Sequence, residues 1–306
     1  MIKVLTVFGT RPEAIKMAPL VLELEKTEGI DSKVCVTAQH REMLDQVLRI
    51  FEIVPDYDLG IMKDRQTLTG ITTRALEGLY EVISLEKPDI VLVHGDTTTT
   101  FAGALAAFYN QVPVGHVEAG LRTYDKWSPY PEEINRRLTG VLADLHFSPT
   151  ESNKSNLLRE NVPEDRIVIT GNTVIDALKT TVKPDYKFSD ELLSSLPWDK
   201  KIILLTAHRR ENLGEPLYNI TRAVRRIAED FKDVHIVYPV HLNPAVRKVA
   251  DEVLSGHERI HLTSPLDVAE LHNAMSKSYM VMTDSGGLQE EAPSLGKPVL
   301  VLRNET

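Results

Sequence analysis

The chain has 306 residues, 42% of them hydrophobic and 26% charged, with a formal net charge of −9 and one cysteine. At roughly 150 residues per domain this is room for about two domains of an ordinary globular protein. The acidic balance argues against nucleic acid or a membrane surface as partner, no apolar run approaches the ~20 residues of a membrane span, and the lone Cys35 fits a reducing, cytoplasmic compartment.

The first predicted strand, IKVLTVFG, runs into GTRPEAIK, which sets Arg11 and Lys16 at the opening of a predicted helix, EAIKMAPLVLELEK. The opening nonapeptide is too short and too soon interrupted to be a secretory signal. The next strand, KVCVTA, holds Cys35 as a core thiol and leads into QHREML, where Gln39, His40 and Arg41 either bind an anion or cap and solvate a helix. A helical pattern, LTGITTRALEGLYEVI, precedes DIVLVHGD, which ends in Asp96 before four threonines and the helix TTTTFAGALAAFY. Asp96 is either an N-cap, a common role for Asp, or an acid in a site. VPVGHVEAG ends in Glu118 with Arg122 nearby, again a structural pair or a carboxylate kept for chemistry. WSPYPEEINRR, residues 127 to 137, is a Pro-rich loop entering a helix with Glu132 and Arg136 four apart on one face. Proline at a helix start, acids in the first turn and an i,i+4 pair account for it as architecture. The functional alternative is a loop that sets Glu132 beside the Asp96 and Glu118 strand ends. DLHFSPT and RIVITGN complete this first series.

KTTVKPDYKFSDELLSSLPWDKK breaks the rhythm with polar residues and two prolines. It predicts a first domain over 1–171, a connection over 172–200 and a second domain over 201–306. The second series of strands opens with KIILLTAHR, ending in His208, Arg209 and Arg210, and continues through the helix LYNITRAVRRIAEDF to VHIVYPVH, ending in His241. RIHLTS, SYMVMTDS and PVLVLR follow. HERIH, residues 257 to 261, matches the HExxH zinc pattern in letters, but it leads into a strand, where His257 and His261 lose the shared helix face that pattern requires. No metal site is predicted. DSGGLQEEAP is the sharpest local signal: a strand enters Ser285, Gly286 and Gly287, then a helix. Glycines admit close backbone approach, and a helix N-terminus presents N–H groups to an anion. Glu291, about a turn inside that helix, would repel a phosphate and suits sugar hydroxyls, such as those of a ribose. Neither GxGxxG nor GxxxxGK[ST] occurs.

The strands are rich in Val, Ile and Leu without polar alternation, as in parallel sheets buried on both faces. Their alternation with helices predicts doubly wound α/β domains, whose ligands bind at the carboxyl ends of the strands. The polar residues collect at those ends. The sequence stops directly after a strand, so the second domain is expected to lack its C-terminal part.

FGTRPEAIKMAP, HGDTTTT, GHVEAGLRT, PEEINRR, TAHRREN and DSGGLQEEAP, in this order, closely resemble the bacterial non-hydrolysing UDP-N-acetylglucosamine 2-epimerases from end to end of the chain. The resemblance implies two Rossmann-like domains facing a cleft, the GT-B architecture, and interconversion of UDP-N-acetylglucosamine and UDP-N-acetylmannosamine with no cofactor. It further implies a cytoplasmic homodimer whose product feeds cell-surface polysaccharide. On this reading Asp96, Glu118 and Glu132 are acid/base candidates, and which of them removes the C2 proton stays open. Arg11, Lys16, Arg136 and His208, the last also placed among the catalytic residues, would hold or neutralise the diphosphate. Ser285, Gly286, Gly287 and Glu291 would bind UDP, with His241 beside the substrate. A second, activating UDP-N-acetylglucosamine would use Gln39, Arg65, Gln66 and Arg209, with His241 matching there too. Glu42 stands where some relatives have Gln. Alternatives are a GT-B glycosyltransferase, a hydrolysing 2-epimerase, and a UDP-sugar sensor without turnover.

Overall fold

The computed structural model describes residues 1–38, 41–63 and 66–303, without the Glu42 side chain. It divides into two compact units, Met1–Ala177 and Leu178–Thr306.

The first unit runs β1 (Ile2–Phe8), α1 (Arg11–Lys26), β2 (Ile30–Val36), α2 (Arg41–Ile50), β3 (Tyr57–Asp58), α3 (Leu68–Glu86) and β4 (Ile90–His94). It continues with α4 (Thr98–Tyr109), β5 (Val114–Val117), α5 (Glu132–Leu142), β6 (Leu145–Ser148), α6 (Glu151–Arg159), β7 (Ile167–Ile169) and α7 (Val174–Thr181), whose last turn belongs to the second unit. Its strands form one sheet in the order β3-β2-β1-β4-β5-β6-β7. Every neighbouring pair is parallel. The apolar runs read from the sequence are buried on both faces: Val4, Phe8 and Leu92 on one, Leu5, Val7, Val91 and Val93 on the other. Against them pack α3 and α4, where the small side chains Ala102, Ala104, Ala106 and Ala107 let the helix lie close to the strands.

The second unit holds α8 (Glu191–Ser195), β8 (Lys201–Thr206), α9 (Glu215–Asp230), β9 (Val234–Pro239), α10 (Pro244–Leu254) and β10 (Ile260–Thr263). There follow α11 (Val268–Lys277), β11 (Met280–Thr283), α12 (Gly286–Ser294) and β12 (Val299–Val301). Its sheet, in the order β10-β9-β8-β11-β12, is again parallel throughout. One face buries Val224, Ala228 and Val246 from α9 and α10 against Ile236 and Tyr238. The other buries Met275 and Leu288 from α11 and α12. Residues 172–200, read as a connection, contain α7 and α8 here, and Leu178, Phe188, Leu193 and Leu196 enter this second core. Among the described residues no helix is long and apolar enough to cross a membrane.

Both sheets reverse their winding beside the first strand of the unit, between β1 and β4 and between β8 and β11. Strand carboxyl ends at such a reversal are the usual ligand crevice of an open α/β sheet.

Candidate active site

At the reversal in the first unit the chain leaves β1 through Thr10 and Arg11, β4 through Gly95 and Asp96, and β5 through Glu118. Glu118 has φ 61°, the left-handed region, where a non-glycine residue costs roughly 1–2 kcal/mol and is held by its surroundings. Lys16, one turn into α1, donates its ammonium to Glu118 Oε1. His94 Nε2 lies 3.4 Å from Oε2. Burial by itself would raise the Glu118 carboxyl; His94, Lys16 and Arg136 outweigh it and hold the group below its ordinary 4.5. His94 is fully enclosed, and burial pulls its pKa down to about 4, so the ring is neutral at pH 7. At neutral pH, therefore, the cations that keep Glu118 ionised are Lys16, which bonds to it, and Arg136.

Asp96 is not the N-cap of α4. Thr97 takes that position, its hydroxyl accepting from the Thr100 N–H. Asp96 instead pairs with Arg136 at 2.6 Å, and its carbonyl accepts from Asn135 Nδ2 at 2.9 Å. Arg136 also reaches Glu133 at 3.4 Å, so the i,i+4 pair with Glu132 expected from spacing does not form. The Glu132 carboxylate makes no hydrogen bond or ion pair among the described residues, and the residue is half-buried at the start of α5. The suggested Glu118–Arg122 pair is likewise absent: Arg122 is bound in bidentate fashion to Glu160 at 2.8 and 2.7 Å. Arg11 occupies the first position of α1, half-buried, with no partner among the described residues.

Two buried acids here were not singled out in the sequence. Glu133 accepts from the backbone N–H groups of Thr123 and Tyr124 at 3.0 and 3.1 Å, fixing the loop ahead of α5. Glu13 accepts from the N–H groups of Gly9 and Thr10 and from the Thr97 hydroxyl, and burial nevertheless raises its pKa. The signal for Glu13 was present: Thr10 followed three residues later by Glu is a capping box, which the structure forms.

At the reversal in the second unit, β8 ends in His208 and Arg209 and β11 in Asp284 and Ser285. Asp284 is fully buried and accepts on Oδ2 from the N–H groups of His208 and Arg209, both at 2.8 Å, and from Asn212 Nδ2 at 3.0 Å. Ser285 is the N-cap residue of α12, and Gly286 and Gly287 begin the helix. A Cβ at Gly286 would meet nothing within 4 Å, whereas one at Gly287 would lie 3.0 Å from Glu291 Oε1. The backbone at Gly286 is thus open to an approaching ligand. Glu291 lies 3.4 Å from His272 Nε2, and His272 Nδ1 is 2.7 Å from Thr181 Oγ1, so the carboxylate is oriented from behind. His241 stacks on His208 with ring centroids 4.9 Å apart.

Of the residues expected to take a second nucleotide sugar, Gln39 and Arg65 lie outside the described residues. Gln66 accepts from Arg74 at 3.1 Å and Arg209 is exposed. His261 sits on β10 and meets His235 of β9 at 3.1 Å, so HERIH is no helical zinc motif. Among the described residues no group of three or more His, Cys, Asp or Glu is placed to hold a metal ion.

A family model described as UDP-N-acetylglucosamine 2-epimerase matches residues 22–306. UDP-N-acetylglucosamine 2-epimerase of Bacillus subtilis strain 168 is 64% identical over 305 residues, covering 100% of this chain and 80% of that protein. The structure of S. aureus MnaA with UDP superposes with a TM-score of 0.87 at 59% identity, over 99% of this chain and 80% of that one. That of UDP-GlcNAc 2-epimerase from Neisseria meningitidis bound to UDP-GlcNAc gives 0.90 at 56% identity, over 100% of this chain and 84% of that one. With the family pattern and two solved folds matched across both parallel sheets, the chain belongs to the UDP-N-acetylglucosamine 2-epimerase family.

Proposed function

We propose that the chain interconverts UDP-N-acetylglucosamine and UDP-N-acetylmannosamine by eliminating UDP and adding it back. The C2–H bond of the sugar is not acidic, so its cleavage has to be coupled to departure of UDP from C1, giving a 2-acetamidoglucal. UDP then returns to C1 while a proton is delivered to the opposite face of C2. This calls for ionised carboxylates near the ring and cations for the leaving diphosphate.

The observation that carries the reading is that Asp96 and Glu118, at the ends of neighbouring strands, are held by side-chain cations, Arg136 and Lys16. Such partners are exchangeable: an arriving diphosphate competes for Lys16, Arg136 and the nearby Arg11, leaving carboxylates able to take or give a proton. Glu132 is the third acid of this set. His208 supplies charge to the diphosphate, and Ser285, Gly286, Gly287, Glu291 and His241 bind the nucleotide. A second UDP-N-acetylglucosamine at Gln39, Arg65, Gln66 and Arg209, cytoplasmic location and supply of cell-surface polysaccharide belong to the same reading. So does a homodimer, supported by exposed Phe108, Tyr109, Leu138 and Val141 on the adjoining helices α4 and α5.

The test is incubation with UDP-N-acetylglucosamine in deuterated water, followed by proton NMR. Deuterium at C2 together with UDP-N-acetylmannosamine is expected. No exchange and no manno product would reject the proposal, and free N-acetylmannosamine would replace it with hydrolysis.

A further inference from the structure

Beyond β4 the main chain is held by side chains where the sheet ends. The Gly95 N–H donates to the Val117 carbonyl of β5 at 2.9 Å. Gly95 then takes φ 69°, the left-handed region, and its own carbonyl lies 2.7 Å from Nε2 of His116 on β5. A carbonyl only accepts, so Nε2 carries the hydrogen and His116 is the donor. The ring is buried, and burial pulls its pKa down to about 3, so it is neutral and the bond is the same throughout the neutral pH range. The next carbonyl, that of Asp96, accepts from Asn135 Nδ2 of α5 at 2.9 Å, and Asn135 is buried as well. A peptide unit is planar, so fixing its carbonyl fixes its plane. Both planes that flank the Asp96 Cα are therefore held by buried side chains from two other elements.

The Asp96 carboxylate has a partner of a different kind, Arg136 at 2.6 Å, one residue beyond Asn135 on the same helix. We infer that His116 and Asn135 are positioning residues that clamp the main chain on either side of Asp96, so that its carboxylate keeps its place when Arg136 turns to the diphosphate. This rests on the acid/base role proposed above for Asp96. With the backbone of Asp96 fixed, only the rotations of its own short side chain remain, and these settle into few staggered positions. α5 supplies two things at once: a long cation that can exchange partners and, one residue earlier, a short neutral donor that stays with the main chain.

The experiment measures turnover of His116→Met and Asn135→Ala in the parent chain and again in an Asp96→Asn background. Deuterium incorporation at C2 is followed by proton NMR and scaled to the folded fraction from circular dichroism. In the parent background each substitution should lower kcat about tenfold to a hundredfold, the cost of a reacting group misplaced by ~1 Å, with KM for UDP-N-acetylglucosamine held within about twofold. In the Asp96→Asn background the same substitutions should change turnover by less than about twofold, because the carboxylate they position is already gone. Damage to the first unit in general would instead lower turnover equally in both backgrounds. An equal loss in both, an unchanged kcat in the parent background, or a loss confined to KM overturns the inference. Should His116→Met not fold, Asn135→Ala removes the other donor and the same comparison decides. Near-normal turnover in Asp96→Asn alone removes the acid/base role of Asp96 and the inference with it, which separates failure of that reading from failure of the clamp.

Discussion

Replacing Lys16 with Met isolates the pair on which the acid site depends. Lys16 and Glu118 side chains are only 19% and 15% exposed, so the variant leaves a mostly buried carboxylate without its adjacent cation. Glu118 then has two courses. Remaining ionised costs about 3–5 kcal/mol, the usual result of breaking a buried pair. Taking up a proton costs about 1.4 kcal/mol for each pH unit above the ordinary value, which is 4.5 for this group. That amounts to ~3 kcal/mol at pH 7 and less than ~1 kcal/mol at pH 5. The cheaper course sets the ceiling, so this protonation cost should be ~3 kcal/mol at pH 7 and shrink toward zero near pH 4.5, making the destabilisation smaller at pH 5 than at pH 7. The sign agrees with the parent chain, where the Glu118 pKa is depressed. The stability it contributes is present above pH 4.5 and lost as pH falls through the lower folded value. Urea unfolding followed by far-UV circular dichroism at pH 5, 6 and 7 measures this for Lys16→Met, Glu118→Gln and the double variant. In the Glu118→Gln background the Lys16 substitution should change stability by under ~0.5 kcal/mol. A penalty equal at pH 5 and pH 7, or one that persists in that background, would refute the reasoning.

Glu118→Gln and Asp96→Asn should each lower turnover by ~10²–10⁴-fold while calorimetry still detects UDP binding; near-normal turnover in either removes that residue from the acid/base set. Arg122→Met, which breaks the bidentate pair between the buried guanidinium and the half-buried Glu160, should destabilise by up to about 3 kcal/mol in urea unfolding. Turnover per folded molecule should be retained, because Arg122 contacts none of the three candidate acids. Gly286→Ala should weaken UDP binding about tenfold or more while thermal stability does not fall, since a methyl there meets open space and alanine favours the helix. A drop in melting temperature with unchanged UDP affinity would show that the position serves packing instead.

The two sheets were legible in the sequence because strands buried on both faces need not alternate with polar residues, and the buried consecutive runs Val7-Phe8 and Val91-Leu92-Val93 follow that pattern. β3 was missed because two residues, Tyr57 and Asp58, carry no periodicity. The strand-end acids were legible as positions and not as partners. Glu118 meets Lys16 across 102 residues, and no local pattern encodes such a pairing. Spacing on a helix proposed Glu132–Arg136, yet Arg136 turns to Asp96 and Glu133; an i,i+4 pair is worth only a few tenths of a kcal/mol, typically ~0.3–0.5, too little to fix the partner of an arginine with other carboxylates in reach. The N-cap alternative for Asp96 failed for a similar reason: Thr97, one residue on, serves as well and leaves Asp96 to pair with arginine.

Two kinds of buried or half-buried acid can be told apart in this chain, and the difference bears on which can do chemistry. Glu13, Glu133, Asp284 and Glu270 each accept from at least two backbone N–H groups. Those donors cannot leave without moving the loop they belong to, and a proton arriving on the carboxylate would have to displace them. Such groups hold turns in place: Glu13 the end of β1, Glu133 the loop before α5, Asp284 the segment after β8. Asp96 and Glu118 have no backbone donor among the described residues and are held by Arg136 and Lys16, long side chains that rotate to another anion at little cost. Glu132 has neither kind of partner. A residue that must gain and lose a proton in each turnover belongs to the second kind, because its charge is compensated without its geometry being welded to the main chain. Neutralising Glu133 should therefore unfold the loop before α5 and reduce turnover only through that loss of structure, whereas neutralising Glu118 should reduce turnover in a chain that still folds. Turnover normalised to the folded fraction separates the two, and an equal normalised loss in both variants would erase the distinction.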